Sequence, residues 1–151
     1  MMGYESAPSY DDGRYDGLVV HCSDGRFSRQ FNDFVVNRLG IVRCDRVVVP
    51  GGPGALTVER ESEPEGMRVI DDVSMLCSVH EVDRVALIQH DLCAYYLNCR
   101  GATERTLRGM QLEDLATALE IVRAATGIER VEGYVARLVG RVVVFDEVRD
   151  A

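Results

Sequence analysis

Short, continuous apolar runs alternate along this chain with longer stretches in which apolar residues recur every three or four positions. The continuous runs are Gly17–Cys22, Arg46–Pro50, Arg84–Gln89, Arg130–Ala136 and Arg141–Val148, and each reads as a strand. The first and third lack alternation, as in strands covered on both faces. Phe27–Leu39 reads as a helix through Phe27, Phe31, Phe34, Val35 and Leu39, with Gly40 as its stop. Met67–His80 reads as a second, with Met67, Ile70, Val73 and Leu76 or Cys77 on one stripe. A third runs from about Thr103 to Thr126, its apolar face set by Leu107, Met110, Leu115, Leu119 and Val122, and Gly127 ends it. Gly51-Gly52-Pro53-Gly54 breaks the chain sharply, and Glu59–Gly66 is an acidic loop.

The resulting order, β-α-β-α-β-α-β-β, predicts an α/β fold. It is a mostly parallel sheet of strand order 2-1-3-4-5 with helices on both faces. The last two strands are joined by too few residues for a crossover, so the fifth is antiparallel to the fourth. Residues 1–16 show no period and read as an N-terminal arm carrying Tyr4, Tyr10 and Tyr15. That arm is either a free tail or a segment packed on a partner subunit. Residues 17–151 form a single domain.

Composition narrows the function classes. The net charge of −8 argues against nucleic acid or an anionic membrane surface as partner. All 17 basic residues are Arg, which removes Schiff-base chemistry and a P-loop lysine. No run approaches the roughly 20 apolar residues of a membrane span. The polar, acidic start lacks the features of a secretory leader, so the expected location is cytoplasmic. There, five cysteines read as thiols or metal ligands.

Two strand ends carry the candidate chemistry. Val19-Val20 leads into His21-Cys22-Ser23-Asp24-Gly25-Arg26, and Leu87-Ile88 leads into Gln89-His90-Asp91-Leu92-Cys93. In the order 2-1-3-4-5 the first and third strands are neighbours, and ligands bind beyond their carboxyl ends. Cys22, His90 and Cys93 thus meet in one crevice. Two thiolates and an imidazole suit zinc, one ion per chain, and leave the fourth tetrahedral position to water, whose pKa zinc lowers to about 7. Asp24 either orients that water or ligates the zinc and closes the site, and Arg26 decides between these by pairing with it.

Cys22-x-Asp24-x-Arg26 with His90-x-x-Cys93 resembles the zinc signature of the β-class carbonic anhydrases. The resemblance runs from about Gly17 to Val148 and includes the closing hairpin, Gly133-Tyr134-Val135 through Arg141-Val142-Val143. It implies the β-carbonic anhydrase fold, Cys22, His90 and Cys93 as zinc ligands, and Asp24–Arg26 as a catalytic gating dyad. It also implies carbon dioxide and bicarbonate as small-molecule substrates, and a homodimer or higher homo-oligomer. Departures stand at Gln89 and Ala94, where the family carries Gly, and at Val49–Gly54, which replaces an Arg-Asn-Ala-Gly-Asn-like loop.

Other readings stay open. One alternative has the same zinc hydroxide act on carbonyl sulfide, carbon disulfide or another small electrophile instead, and another has a carbonic-anhydrase-like protein hold zinc without that activity. A cysteine phosphatase of the type His-Cys-x5-Arg needs Arg where Ser28 stands. Cys44, Cys77 and Cys99 have no ligand partner at metal spacing and read as structural. His21 points away from Cys22 by strand alternation. His80 ends a helix, where its charge suits the dipole, and Asp91 is either a partner that supports the metal ligands or, the reading preferred from the sequence, a solvated turn residue.

Overall fold

The structure, a computed structural model, describes residues 2–59, 63 and 66–149. Among them, five strands form one sheet: β1 (Gly17–Cys22), β2 (Cys44–Val49), β3 (Arg84–His90), β4 (Arg130–Val139) and β5 (Val142–Val148). Their order is β2-β1-β3-β4-β5, and all neighbours run parallel except β4 and β5. This is the topology that the hydrophobic pattern predicts. The helices are α1 (Ser28–Asp33), α2 (Val69–Val79), α3 (Ala94–Cys99) and α4 (Leu107–Thr126), joined by a 3-10 segment at Gly52–Thr57.

Strand alternation divides the core between the two faces. Leu18, Val20 and Leu87 pack under Val73 and Cys77 of α2 and Leu115, Leu119 and Val122 of α4. Val19, Ala86 and Ile88 pack under Phe31, Phe34 and Val35 on the opposite face. Each such buried side chain contributes about 1.5–3 kcal/mol, so both strand pairs are anchored from above and below.

Several boundaries differ from the pattern, each for a physical reason. The first helix runs as α1 and then widens into a π-helical turn at Phe34–Arg38, closed by Leu39 N–H donating to the Phe34 carbonyl at 3.0 Å. The widening leaves Phe34 and Val35, side by side, both buried on the sheet. β2 begins at Cys44 because Cys44 and Asp45 already pair with Gly17 and Leu18, and it ends before Pro50, which has no N–H to continue the ladder. The second helix starts at Val69, leaving Met67 75% exposed. There the Glu59 carboxylate accepts the free N–H groups of Val69 and of Ile70, the latter at 3.2 Å. Of the acidic loop, residues 60–62, 64 and 65 lie outside the described residues.

The helix expected from Thr103 is α4 and starts at Leu107, because Thr103 and Thr106 exchange side-chain and backbone bonds and turn the chain first. β4 is longer than expected and reaches Val139, paired to Val142 across a two-residue turn. Residues 2–16 form neither helix nor strand, yet the later part of this arm is tied to its own chain. Asp16 accepts the Val42 and Arg43 N–H groups at 3.1 and 2.9 Å, and Tyr15 stacks on His80 with ring centres 3.9 Å apart. Among the described residues, no helix is long and apolar enough to cross a membrane.

Candidate metal centre

The carboxyl ends of β1 and β3 are adjacent because β1 pairs β3 from Leu18↔Val85 to His21↔Ile88. Cys22 extends β1 on the side of Leu18 and Val20, while His90 extends β3 on the side of Ala86 and Ile88. The two residues therefore approach one point from opposite faces of the sheet, beyond its edge. Cys93 comes from the turn after β3, at the residue that opens α3. The ligand atoms of Cys22, His90 and Cys93 lie within 4.8 Å of one another, and all three residues are buried. The Cys22 and Cys93 sulfurs are 3.9 Å apart.

This arrangement fits a metal ion on its own terms. His90 Nδ1 donates to the Asp91 carbonyl at 2.6 Å, which leaves Nε2 as the lone-pair nitrogen. That Nε2 is buried and has no hydrogen-bond partner, a costly state that a cation among two sulfurs relieves. The Cys93 thiol, donating to Cys22 Sγ, pulls the Cys22 pKa below the usual thiol range, and the Gly51 N–H adds to the effect. Sharing with Cys22, together with burial, pushes Cys93 up. Cys22 is thus the more readily ionised of the two thiols, and a cation would favour loss of the proton from both.

Asp24 and Arg26 form a bidentate pair beside the tripod. Arg26 Nη2 lies 2.6 Å from Asp24 Oδ2, and Arg26 Nε 3.0 Å from Oδ1. Arg26 Nη2 also donates to the Leu92 carbonyl at 3.0 Å, a contact made possible by the left-handed φ of +59° at Leu92. So held, Asp24 Oδ2 stops 4.0 Å from His90 Nε2. The Arg26 guanidinium keeps the Asp24 carboxyl below its usual range. A pocket of about 410 Å³ opens from Cys22 past Asp24 and Arg26 to Pro50, Ala94 and Tyr95.

The glycine segment after β2 is the seat of the site. Gly51 has φ of +82°, and its N–H donates to Cys22 Sγ at 3.4 Å. A Cβ on Gly52 would stand 2.8 Å from the Cys22 nitrogen, and one on Gly54 would stand 2.1 Å from the Tyr96 hydroxyl. The break predicted at this stretch is present, and it continues as the 3-10 segment that the pattern did not show.

Some supporting residues went unread in the sequence. Gln111 is fully buried on α4 and donates to the His90 carbonyl at 2.7 Å. Its position between Leu107 and Leu115 at helical spacing, a polar residue on an apolar stripe, is the signal that could have found it. Gln89 donates to the Tyr96 hydroxyl at 2.9 Å, and Tyr96 donates to Asp114 at 2.6 Å, which ties α3 to α4 behind Cys93. Asp91 corrects the solvated-turn reading: its carboxylate accepts the Leu138 N–H at 2.7 Å and pairs with Arg108. His21 lies on the far side of β1 against Phe31 and donates to the Cys22 carbonyl at 2.9 Å. His80 pairs with Asp45 away from the site. Among the described residues, Cys44, Cys77 and Cys99 join no ligand group.

No protein-family model matches the chain. No curated protein sequence matches it. Solved structures do. A β-carbonic anhydrase, isoform I, from Trichomonas vaginalis matches with a TM-score of 0.52 at 13% identity, over 93% of this chain and 87% of its own. A carbonic anhydrase from Streptococcus mutans gives 0.59 at 12% identity, over 93% and 88%. The β-carbonic anhydrase CcaA gives 0.58 at 12% identity, over 91% and 85%. The chain therefore has the β-carbonic anhydrase fold.

Proposed function

We propose that this protein hydrates carbon dioxide reversibly to bicarbonate, using one Zn²⁺ per chain held by Cys22, His90 and Cys93. The observation that carries the reading is the buried tripod with its orphaned His90 Nε2, set beside an Asp24 held off by Arg26. Zinc supplies the Lewis acidity that makes water a nucleophile at neutral pH. Asp24 accepts a hydrogen bond from the attacking water and fixes its direction. Arg26, anchored on Leu92, keeps Asp24 from reaching the metal. Pro50, Ala94 and Tyr95 give carbon dioxide an apolar approach. The proton passes from the open pocket to buffer, because His21 is buried behind β1 and His80 is bound to Asp45 at the far end of α2. Homo-oligomeric assembly belongs to the same proposal and is supported by the exposed Val142 and Val144 of the edge strand β5.

Metal analysis of protein purified without chelator gives about one zinc per chain under this reading. Cys22→Ser loses it, and full retention would refute the ligand set. Stopped-flow hydration of carbon dioxide at neutral and high pH then tests the activity. Turnover confined to high pH means that Asp24 ligates zinc below it. Absence of turnover at both pH values with zinc bound refutes the activity, and hydrolysis of carbonyl sulfide or carbon disulfide would then identify another substrate.

A further inference from the structure

Tyr95 has no part in holding the metal, yet it forms a wall of the pocket that leads there. Its ring lies flat against the backbone where Gly51 has no side chain: a Cβ there would stand 2.2 Å from Cδ1, 2.6 Å from Cε1 and 2.8 Å from Cγ. The neighbouring Tyr96 ring stands perpendicular to it, with ring centres 5.6 Å apart at 89°. The glycine that seats this ring is the one whose N–H is bonded to Cys22 Sγ. Tyr95 is therefore a fixed flat surface next to a ligand sulfur rather than a side chain free to swing. Arg26, which also lines the pocket, is engaged by Asp24 and the Leu92 carbonyl.

We propose that Tyr95 is a specificity-determining residue: its ring limits the breadth of what reaches the metal, so the site takes slim, linear molecules and turns away aryl or branched ones. The proposal rests on the metal site put forward above. Length is not restricted, since the pocket continues to about 410 Å³ toward solvent. The fixed ring restricts the space beside Cys22 alone. The favoured class is a linear three-atom electrophile or a linear anion of the same shape.

The test replaces zinc by cobalt(II), whose visible absorption reports ligand binding without any turnover. Two probes are titrated into the full chain: thiocyanate, which is linear, and benzenesulfonamide, which carries an aryl group next to its metal-binding nitrogen. In the wild type thiocyanate perturbs the spectrum and benzenesulfonamide binds weakly. Tyr95→Ala tightens benzenesulfonamide by about tenfold or more while thiocyanate changes by less than about threefold. Tyr95→Phe keeps the wall and the wild-type ratio. Where Tyr95→Ala does not fold, Tyr95→Leu, which keeps apolar bulk but loses the flat face, shifts the ratio in the same direction. A merely structural Tyr95 would weaken both probes together, and an unchanged ratio in a metal-loaded variant overturns the proposal. If the wild type binds no cobalt or zinc, the metal-site reading itself has failed, and this proposal falls with it. If it binds metal and hydrates carbon dioxide but the ratio does not move, only this proposal fails.

Discussion

Replacing Gly52 by Ala separates two costs that usually come together. Gly52 sits at φ +52°, where an L side chain costs about 1 kcal/mol. Its new Cβ would also meet the Cys22 nitrogen at 2.8 Å, the His21 carbonyl carbon at 3.0 Å and the His21 Cα at 3.2 Å. All three are backbone atoms of β1 and its exit, which no rotamer change can move. Forcing an atom into such a packed place costs about 1–3 kcal/mol more. The sum is about 2–4 kcal/mol, less than the stability of a typical domain. Gly127→Ala is the matched control, because Gly127 has φ +72° with nothing within 4 Å, so only the conformational cost of about 1 kcal/mol remains. Urea titration of both variants, with m-values checked for equality, measures the difference. Gly52→Ala should also lower zinc affinity, since the strand end it displaces carries Cys22, whereas Gly127→Ala should not. If the two variants unfold at the same urea concentration and bind zinc equally, the glycine segment does not seat the metal centre and the argument is wrong.

Other outcomes follow from buried groups. Tyr96→Phe leaves Gln89 and Asp114 without their shared hydroxyl, and a loss of about 1–3 kcal/mol is expected by denaturant titration, with a matching fall in zinc affinity. Cys77 provides a pH test: burial raises its thiol from 9.0 to about 11. Between those values the folded chain holds a proton that the unfolded chain has lost. The Cys77 contribution to stability is therefore fully present below pH 9 and is lost, by about 3 kcal/mol, as pH rises through 11. Cys77→Val should flatten that decline, and an equally steep loss in the variant would show that another group is responsible.

The centre of the sheet was legible because β1 and β3 are apolar on both sides. Leu18-Val19-Val20 and Val85-Ala86-Leu87-Ile88 admit no amphipathic helix, and their order with the intervening helical periods leaves few topologies. The tripod was legible for the same reason, since parallel neighbours bring their carboxyl ends together. What escaped was short or relational. Six residues, Ala94–Cys99, are too few to display a helical period, and Tyr, Asn and Cys are indifferent helix formers. The ring of Tyr95 against Gly51, and Gln111 under His90, are contacts between distant segments that no local pattern records. Asp91 looked like a polar turn residue because its partners, Arg108 and the Leu138 N–H, lie far along the chain.

The pairing of β1 with β3 also bears on the order of events in folding. Cys22 and Cys93 are 71 residues apart, and β2, α2 and their connections must be looped out before the two strands meet. Closing such a loop costs entropy before any contact rewards it, and parallel pairs of high sequence separation form slowly. Of the three proposed ligands, only His90 and Cys93, three positions apart, are close together in a nascent or unfolded chain. The proposed three-ligand cage would be complete only once the central strands are side by side. Metal uptake during refolding would therefore report the moment at which β1 docks on β3, a clock for the longest-range strand pairing that needs no engineered label.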